Sequence, residues 1–123
     1  MTLVIIKKMY AFISLIFMLS TGLIAWDGDT LHDFGDIQMQ KDYTHEFRFI
    51  NIGDEPVTIE SIRPSCGCTV PKWDEKPILP DSSSVIKVNF RPRHAGYTRK
   101  LIKVYFSGQR KAEKLYIEAF VEK

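Results

Sequence analysis

Two cysteines separated by one glycine, in the run Ser65-Cys66-Gly67-Cys68-Thr69, carry the most distinctive chemistry in this chain of 123 residues. A disulfide between them would close a very small ring, which needs the sharp turn that Gly67 permits. Such a bridge would be easily reduced and suited to redox work. Paired thiolates also suit Cu(I) or Zn(II). The remaining interpretation is purely structural, with small, partly buried cysteines in a tight turn.

Few other residues stand at spacings that predict catalysis or metal binding. His32, His45 and His94 follow no ligand motif, so a metal site would depend on the fold bringing them together. His32-Asp33 could suggest acid–base chemistry, although a lone histidine at the start of a strand is more often structural. No nucleophile elbow, phosphate loop or dinucleotide fingerprint is present. We therefore expect no enzyme, no catalytic residue and no cofactor, with Cys66 and Cys68 as weak metal candidates only.

The first 25 residues have the layout of a secretory signal peptide. Lys7 and Lys8 precede an uncharged apolar run, and small residues follow it up to Ala25. We expect a signal-peptide helix over residues 1–25, cleaved after Ala25 or, as second choice, after Gly22. An uncleaved membrane anchor is the alternative. The pattern predicts an exported protein, periplasmic or secreted, and a mature domain over residues 26–123.

Removal of Lys7 and Lys8 leaves 15 basic and 15 acidic residues, so the mature chain is formally neutral. General attraction to nucleic acid or to an anionic membrane is thereby disfavoured. The charge is unevenly spread, because residues 26–60 hold nine acids and only two basic residues. From Lys87 to Lys111 there are eight basic residues and no acid. We expect a solvated face here, since a binding patch would require these groups to converge in the fold.

Short runs of alternating apolar and polar residues fill the rest of the chain and predict β-strands. Turn residues separate them, and prolines restrict residues 64–80 to short or edge strands. No stretch shows a convincing helical period. About seven strands predict a single antiparallel β-sandwich. The main runs are Leu31–Gln38, Tyr43–Ile52, Val57–Ile62, Val85–Phe90, Lys100–Phe106 and Lys114–Val121.

Several of these runs resemble a bacterial family of unknown function, domain-of-unknown-function family 1573. The resemblance covers about residues 31–121 and is carried by His32-Asp33-Phe34-Gly35-Asp36-Ile37, Phe47–Gly53, Pro56–Ile59, Ser65–Pro71, Ile78–Pro80, Val88–Phe90 and Lys100–Val104. It implies an immunoglobulin-like sandwich akin to periplasmic-chaperone and major-sperm-protein-like domains, exported in Bacteroidetes-type bacteria. The family offers no established activity. Asp81 departs from its pattern, because a glycine often follows the proline there.

Two classes of function follow from these features. The preferred hypothesis is an exported, non-enzymatic module that binds a protein partner or assists assembly in the cell envelope. Sandwich edges can accept a strand from a partner, and the first and last runs, residues 31–38 and 114–121, are the expected edges. The alternative is a thiol redox or copper-binding protein acting through Cys66 and Cys68. Neither hypothesis includes a specific small-molecule substrate.

Overall fold

The computed structural model describes residues 22–123, which form two four-stranded β-sheets packed face to face. No helix within these residues has the length and apolar character to cross a membrane. Most of the predicted signal peptide lies outside the described residues. The strands are β1 (Ile24–Asp27), β2 (Leu31–Gln38), β3 (Tyr43–Asn51), β4 (Ile59–Pro64), β5 (Thr69–Trp73), β6 (Ser83–Phe90), β7 (Gly96–Phe106) and β8 (Glu113–Glu122).

Sheet A has the order β1-β3-β6-β5 and sheet B the order β2-β8-β7-β4. The all-β sandwich is thus confirmed, with eight strands described where about seven were expected. Neighbouring strands are antiparallel except β2 and β8, which run parallel. The wholly antiparallel expectation is wrong at this pair. The chain leaves sheet A after β1 and enters sheet B as β2, so no hairpin sets the direction of β2 against β8.

The core lies between the sheets and is built by the alternation seen in the sequence. Phe47 and Phe49 of β3 face inward, while Glu46 and Arg48, which alternate with them, are exposed. Each inward side chain of this size contributes about 1.5–3 kcal/mol when fully removed from water. The buried set also includes Ile86, Val88 and Phe90 of β6, Ile102, Val104 and Phe106 of β7, and Leu115, Ile117, Ala119 and Val121 of β8.

The strand β1 begins before the boundary that the sequence predicts for the domain. Ile24 pairs with Asn51, Ala25 pairs with Ile50, and Ile24 is buried in the core. The ordered sandwich therefore starts at Ile24, two residues inside the predicted signal peptide. The position of cleavage stays a prediction.

The edges of the sheets differ partly from expectation. Residues 31–38 do form an edge strand, β2. The assignment of residues 114–121 to an edge is wrong, because β8 is paired on one side with β2 and on the other with β7. The proline-rich middle holds the short edge strand β5, in agreement with the sequence. The expected run from Val57 begins later, as β4, and Val57 instead makes an isolated bridge with Ile78.

Asn51 ties together three segments at one end of the sandwich. Its side-chain nitrogen donates to the carbonyl oxygens of Glu55 (2.8 Å) and Ile78 (2.9 Å), and its side-chain oxygen accepts from the Gly53 amide (2.9 Å). The backbone amide of Asp81 donates to the Asn51 carbonyl (2.8 Å). Asp81 itself has a φ of 65°, in the left-handed region that glycine favours. This explains why a glycine suits that turn.

Candidate functional site

Cys66 and Cys68 are joined by a disulfide in the loop between β4 and β5, with their Cα atoms 5.2 Å apart. Cys68 is buried, whereas Cys66 is half-buried. The Thr69 amide donates to the Cys66 carbonyl (3.1 Å), which closes the turn. Gly67 does not have a positive φ, and a Cβ added there would meet nothing within 4 Å. The turn therefore does not depend on glycine's conformational freedom.

This disulfide contributes little as a staple of the fold. It spans a sequence separation of only two residues. In the chain-entropy description, closing such a loop restricts the unfolded chain by about 1.6 kcal/mol, roughly half of the value for a fifteen-residue loop. Its position on a cleft is therefore of more interest than its contribution to global stability.

A cleft of about 200 Å³ lies beside the disulfide, with both cysteines in its wall. The opposite wall comes from the β6–β7 turn and the start of β7, including Arg93, His94 and Lys100. No acidic residue lines the cleft. The cleft therefore has a positive character.

The basic run from Lys87 to Lys111 converges only in part. Arg93 and Lys100 meet at the cleft, whereas Arg91 forms an ion pair with Asp42 (3.1 Å). Lys87 lies on β6 in sheet A, opposite Lys72 of β5. The run is consequently divided among the cleft, an ion pair and the outer surface, and it forms no single patch.

The three histidines are distributed over two places. His32 of β2 and His45 of β3 stack with ring centroids 3.7 Å apart, which links the two sheets at their rim. Burial, followed by the neighbouring charge of His32, lowers the pKa of His45 below its ordinary value of 6.5. His94 lines the cleft instead. Within residues 22–123, no group of three or more His, Cys, Asp or Glu side chains is placed to hold a metal ion.

A second candidate feature is the free edge of β2. The Thr30 carbonyl accepts from the Tyr116 amide (2.7 Å), so Thr30 and His32 direct their backbone groups toward β8. In a parallel pair, only every second residue of a strand bonds to its neighbour, so the backbone amide and carbonyl groups of Leu31 and Asp33 point away from β8. Beyond the bulge, the Gln38 amide donates to the Tyr43 hydroxyl (2.9 Å) and is also outward. The amide of Asp36, two residues earlier, therefore faces outward as well.

On the opposite side of the sandwich, where β4 and β5 lie together, a proline interrupts each free edge. The Arg91 amide donates to the Cys68 carbonyl (2.9 Å), which places the outward positions of β5 at Thr69, Pro71 and Trp73. The Thr69 amide is already bonded within the turn, and Pro71 has no amide hydrogen. In β4, the Ser65–Leu101 bond places Ile62 and Pro64 outward, so proline removes one of the outward donors of this edge as well.

The sequence anticipated the cysteine pair and the β2 edge, but not their surroundings. The cleft brings Cys66 next to Arg93 and Lys100, which are far away along the chain. The basic run was the only signal of this arrangement. The three side-chain bonds of Asn51 had no signal in the sequence.

Comparison with known families matches a protein-family model over residues 24–121, almost the whole described domain. That model is described as a protein of unknown function, DUF1573. The chain belongs to the DUF1573 family. The resemblance stated from the sequence is thus confirmed, and the match begins, as the sandwich does, at Ile24.

Solved structures with the same architecture include a protein of unknown function from Porphyromonas gingivalis (TM-score 0.69, 15% identity, 80% of this chain and 46% of that chain). A PapD-like domain of human CEP192 is similar over 82% of this chain and 86% of its own (TM-score 0.68, 8% identity). The Vibrio cholerae VesB protease is similar over 84% of this chain and 32% of its own (TM-score 0.62, 12% identity).

At these identities the similarities show the fold alone, which confirms the immunoglobulin-like sandwich of this DUF1573 domain. The domain spans less than half of the Porphyromonas and Vibrio chains. No curated protein sequence matches it. A sandwich of this type occurs in a protease chain as well as in a PapD-like domain of human CEP192, so the fold by itself does not decide the activity.

Proposed function

We propose that this DUF1573 domain is an exported, non-enzymatic protein-binding module that accepts an extended segment of a partner along β2. The observation that carries the proposal is the asymmetry of the sheet edges. In the described part of the chain, β2 has eight residues and no proline, whereas β4 and β5 each carry an outward proline. Strand addition uses such free main-chain groups for affinity.

The charge of the edge favours a particular kind of partner. Asp33 and Asp36 are exposed on β2, and Asp29 lies in the turn before it. Phe120, the register partner of Asp36 on β8, is 50% exposed. Acidic groups beside an apolar surface complement a segment in which basic and apolar residues alternate. We therefore commit to a basic, extended segment as the occupant.

The side chains with catalytic potential support a non-enzymatic role. Both cysteines are engaged in the disulfide, so the described residues hold no free thiol nucleophile. His32 and His45 stack on each other and contact aromatic rings, rather than a serine that they could activate. This arrangement lacks the nucleophile–base pairing of covalent catalysis.

Two synthetic ten-residue peptides test the proposal. Both alternate valine and threonine with a charged residue, which is lysine in one peptide and glutamate in the other. Fluorescence anisotropy of labelled peptides at low salt should show binding of the lysine peptide and no binding of the glutamate peptide. The Asp36→Lys substitution should lower the affinity for the lysine peptide by about tenfold or more, because like charges then face each other between β2 and the added strand.

Glu75→Lys provides the matched control. Glu75 is exposed in the β5–β6 loop, on the protected side of the sandwich, and its reversal changes the net charge equally. It should leave the affinity unchanged. Equal losses in the two variants would indicate attraction by overall charge, and failure of the lysine peptide to bind the wild-type domain would refute the proposal. Thermal unfolding of each variant verifies that it remains folded.

A further inference from the structure

We infer that the cleft at Cys66–Cys68 is a thiol–disulfide exchange site for small thiols that carry a carboxylate. This inference is independent of strand addition at β2, because the cleft is lined by the β4–β5 loop, the β6–β7 turn and the start of β7, and by no residue of β2. It assigns a chemical role to the basic groups that converge there.

Access to the two sulfurs is unequal, and this sets the direction of attack. Both cysteines line the cleft, but Cys68 is only 6% exposed while Cys66 is half-buried. An incoming thiolate therefore reaches the Cys66 sulfur first. The cleft, at about 200 Å³, is smaller than the 300–1,000 Å³ typical of drug-sized ligands, which favours a small thiol.

The exchange balances without a further reagent. The thiolate of the small molecule attacks Cys66 Sγ, its sulfur bonds to that atom, and the Cys66–Cys68 bond breaks with its electron pair on Cys68 Sγ. The products are a mixed disulfide at Cys66 and a Cys68 thiolate. Return attack by Cys68 releases the small thiolate, whereas a second small thiol yields the reduced cysteine pair and the small-molecule disulfide.

The surroundings of the leaving sulfur suit this step. Thr69 is 1% exposed, and within residues 22–123 the one side-chain partner of its hydroxyl is Cys68 Sγ, at 3.9 Å. Because a disulfide sulfur carries no hydrogen, this hydroxyl is the donor of the contact, and it keeps that role when the sulfur becomes a thiolate. The Cys68 amide already donates to Cys66 Sγ (3.1 Å). A polar donor thus accompanies each sulfur.

The opposite wall selects the charge of the incoming thiol. Arg93 and His94 are exposed and Lys100 is half-buried, all lining a cleft without an acidic side chain. A carboxylate on the incoming molecule would be attracted by Arg93 and Lys100, and an ammonium group would be repelled. The preferred reactant is therefore an anionic thiol.

Three small thiols of different charge provide the test: 3-mercaptopropionate, 2-mercaptoethanol and cysteamine. Rates of mixed-disulfide formation on the folded protein are measured by acid quench and mass spectrometry, and each variant is compared with wild type for the same thiol. This ratio removes the intrinsic reactivity of each thiol. In the Arg93→Ala, Lys100→Ala double variant, mixed-disulfide formation with 3-mercaptopropionate should be slower by about tenfold, and formation with cysteamine should not be slower.

The control double variant is Lys103→Ala, Lys114→Ala. These lysines face each other across β7 and β8, away from the cleft, and their removal changes the net charge by the same amount. This variant should leave all three rates unchanged. Thr69→Val, which retains the side-chain shape, should slow all three thiols by a common factor of about five, since it removes only the hydroxyl.

Other outcomes would overturn the inference. If the disulfide reacts only under conditions that unfold the domain, the bridge is structural. If the cleft variant slows the three thiols equally, the basic groups do not select charge. If Thr69→Val leaves the rates unchanged while the unfolding midpoint also stays constant, its hydroxyl has no part in the step. Peptide binding at β2 is unaffected by any of these results, so the two proposals fail separately.

Discussion

Replacing Asn51 by leucine should destabilise the sandwich more than Asp36→Lys, Glu75→Lys or Thr69→Val. Asn51 is fully buried, and its side chain makes three hydrogen bonds of 2.8–2.9 Å to Glu55, Ile78 and Gly53. Leucine has a similar volume, so the change removes the bonds without opening a large cavity. The end of β3, the following turn and the segment before β6 would then lose their shared connection.

The expected loss of unfolding free energy is about 3 kcal/mol, at about 1 kcal/mol for each of the three bonds. The cost does not reach the full penalty for stranded groups, because the Ile78 carbonyl retains its bond from the Val57 amide (2.9 Å). The other two bonds are only partly buried and can be replaced by water. For a domain of this size, the loss corresponds to a fall in Tm of about 12–24 °C.

Urea unfolding followed by tryptophan fluorescence measures this change, with Asn89→Leu as the control. The Asn89 side-chain amide makes only an exposed bond to Asp42 (3.2 Å), and its side-chain oxygen is buried without a partner. Its replacement loses one exposed bond and removes a buried oxygen that has no partner, so it should not lower the free energy of unfolding by more than about 0.5 kcal/mol. A loss below about 1 kcal/mol for Asn51→Leu would refute the assignment of Asn51 as the connection between these segments.

Two further predictions concern the start of the sandwich and its rim. In urea unfolding, a chain beginning at Trp26 should be less stable than one beginning at Leu23 by about 3 kcal/mol, because it loses the buried Ile24 and the bond from the Ile52 amide to the Leu23 carbonyl. We accordingly expect mass spectrometry of the exported protein to find cleavage after Gly22. A mature start at Trp26 with unchanged stability would contradict this. The pKa of His45 is lowered in the fold, so the unfolded chain binds more protons at this residue as the pH falls. The stability that neutral His45 contributes should therefore be present above pH 6.5 and decline below it. His45→Gln should reduce this decline between pH 7.5 and 5, and an equal slope in both proteins would show that His45 does not cause it.

The sequence predicts those parts of the fold that depend on local alternation. Every second residue of β3, β6, β7 and β8 faces the core because a strand has a period of two. The parallel pairing of β2 with β8 is not local, since it depends on which sheet the chain enters after β1. For the same reason, residues 114–121 were assigned to an edge although they lie in the interior of sheet B.

The candidate sites likewise combine features that a local sequence pattern predicts with features that depend on the overall fold. Spacing alone singled out Cys66 and Cys68, and an alternating run indicated β2. The meeting of Cys66 with Lys100 depends on the packing of the β4–β5 loop against β7, which no local pattern encodes. The protection of β4 and β5 required knowing that Pro64 and Pro71 point outward, and this follows from the register and not from the presence of proline.

Amide hydrogen exchange most directly tests the central claim that β2 is the binding edge. The ¹⁵N-labelled domain is measured by NMR with and without the lysine peptide. Strand addition predicts slower exchange at the outward amides of Leu31, Asp33 and Asp36, with no change in Thr69–Trp73. Protection of β5 instead of β2, or peptide binding without protection of either edge, would contradict the account.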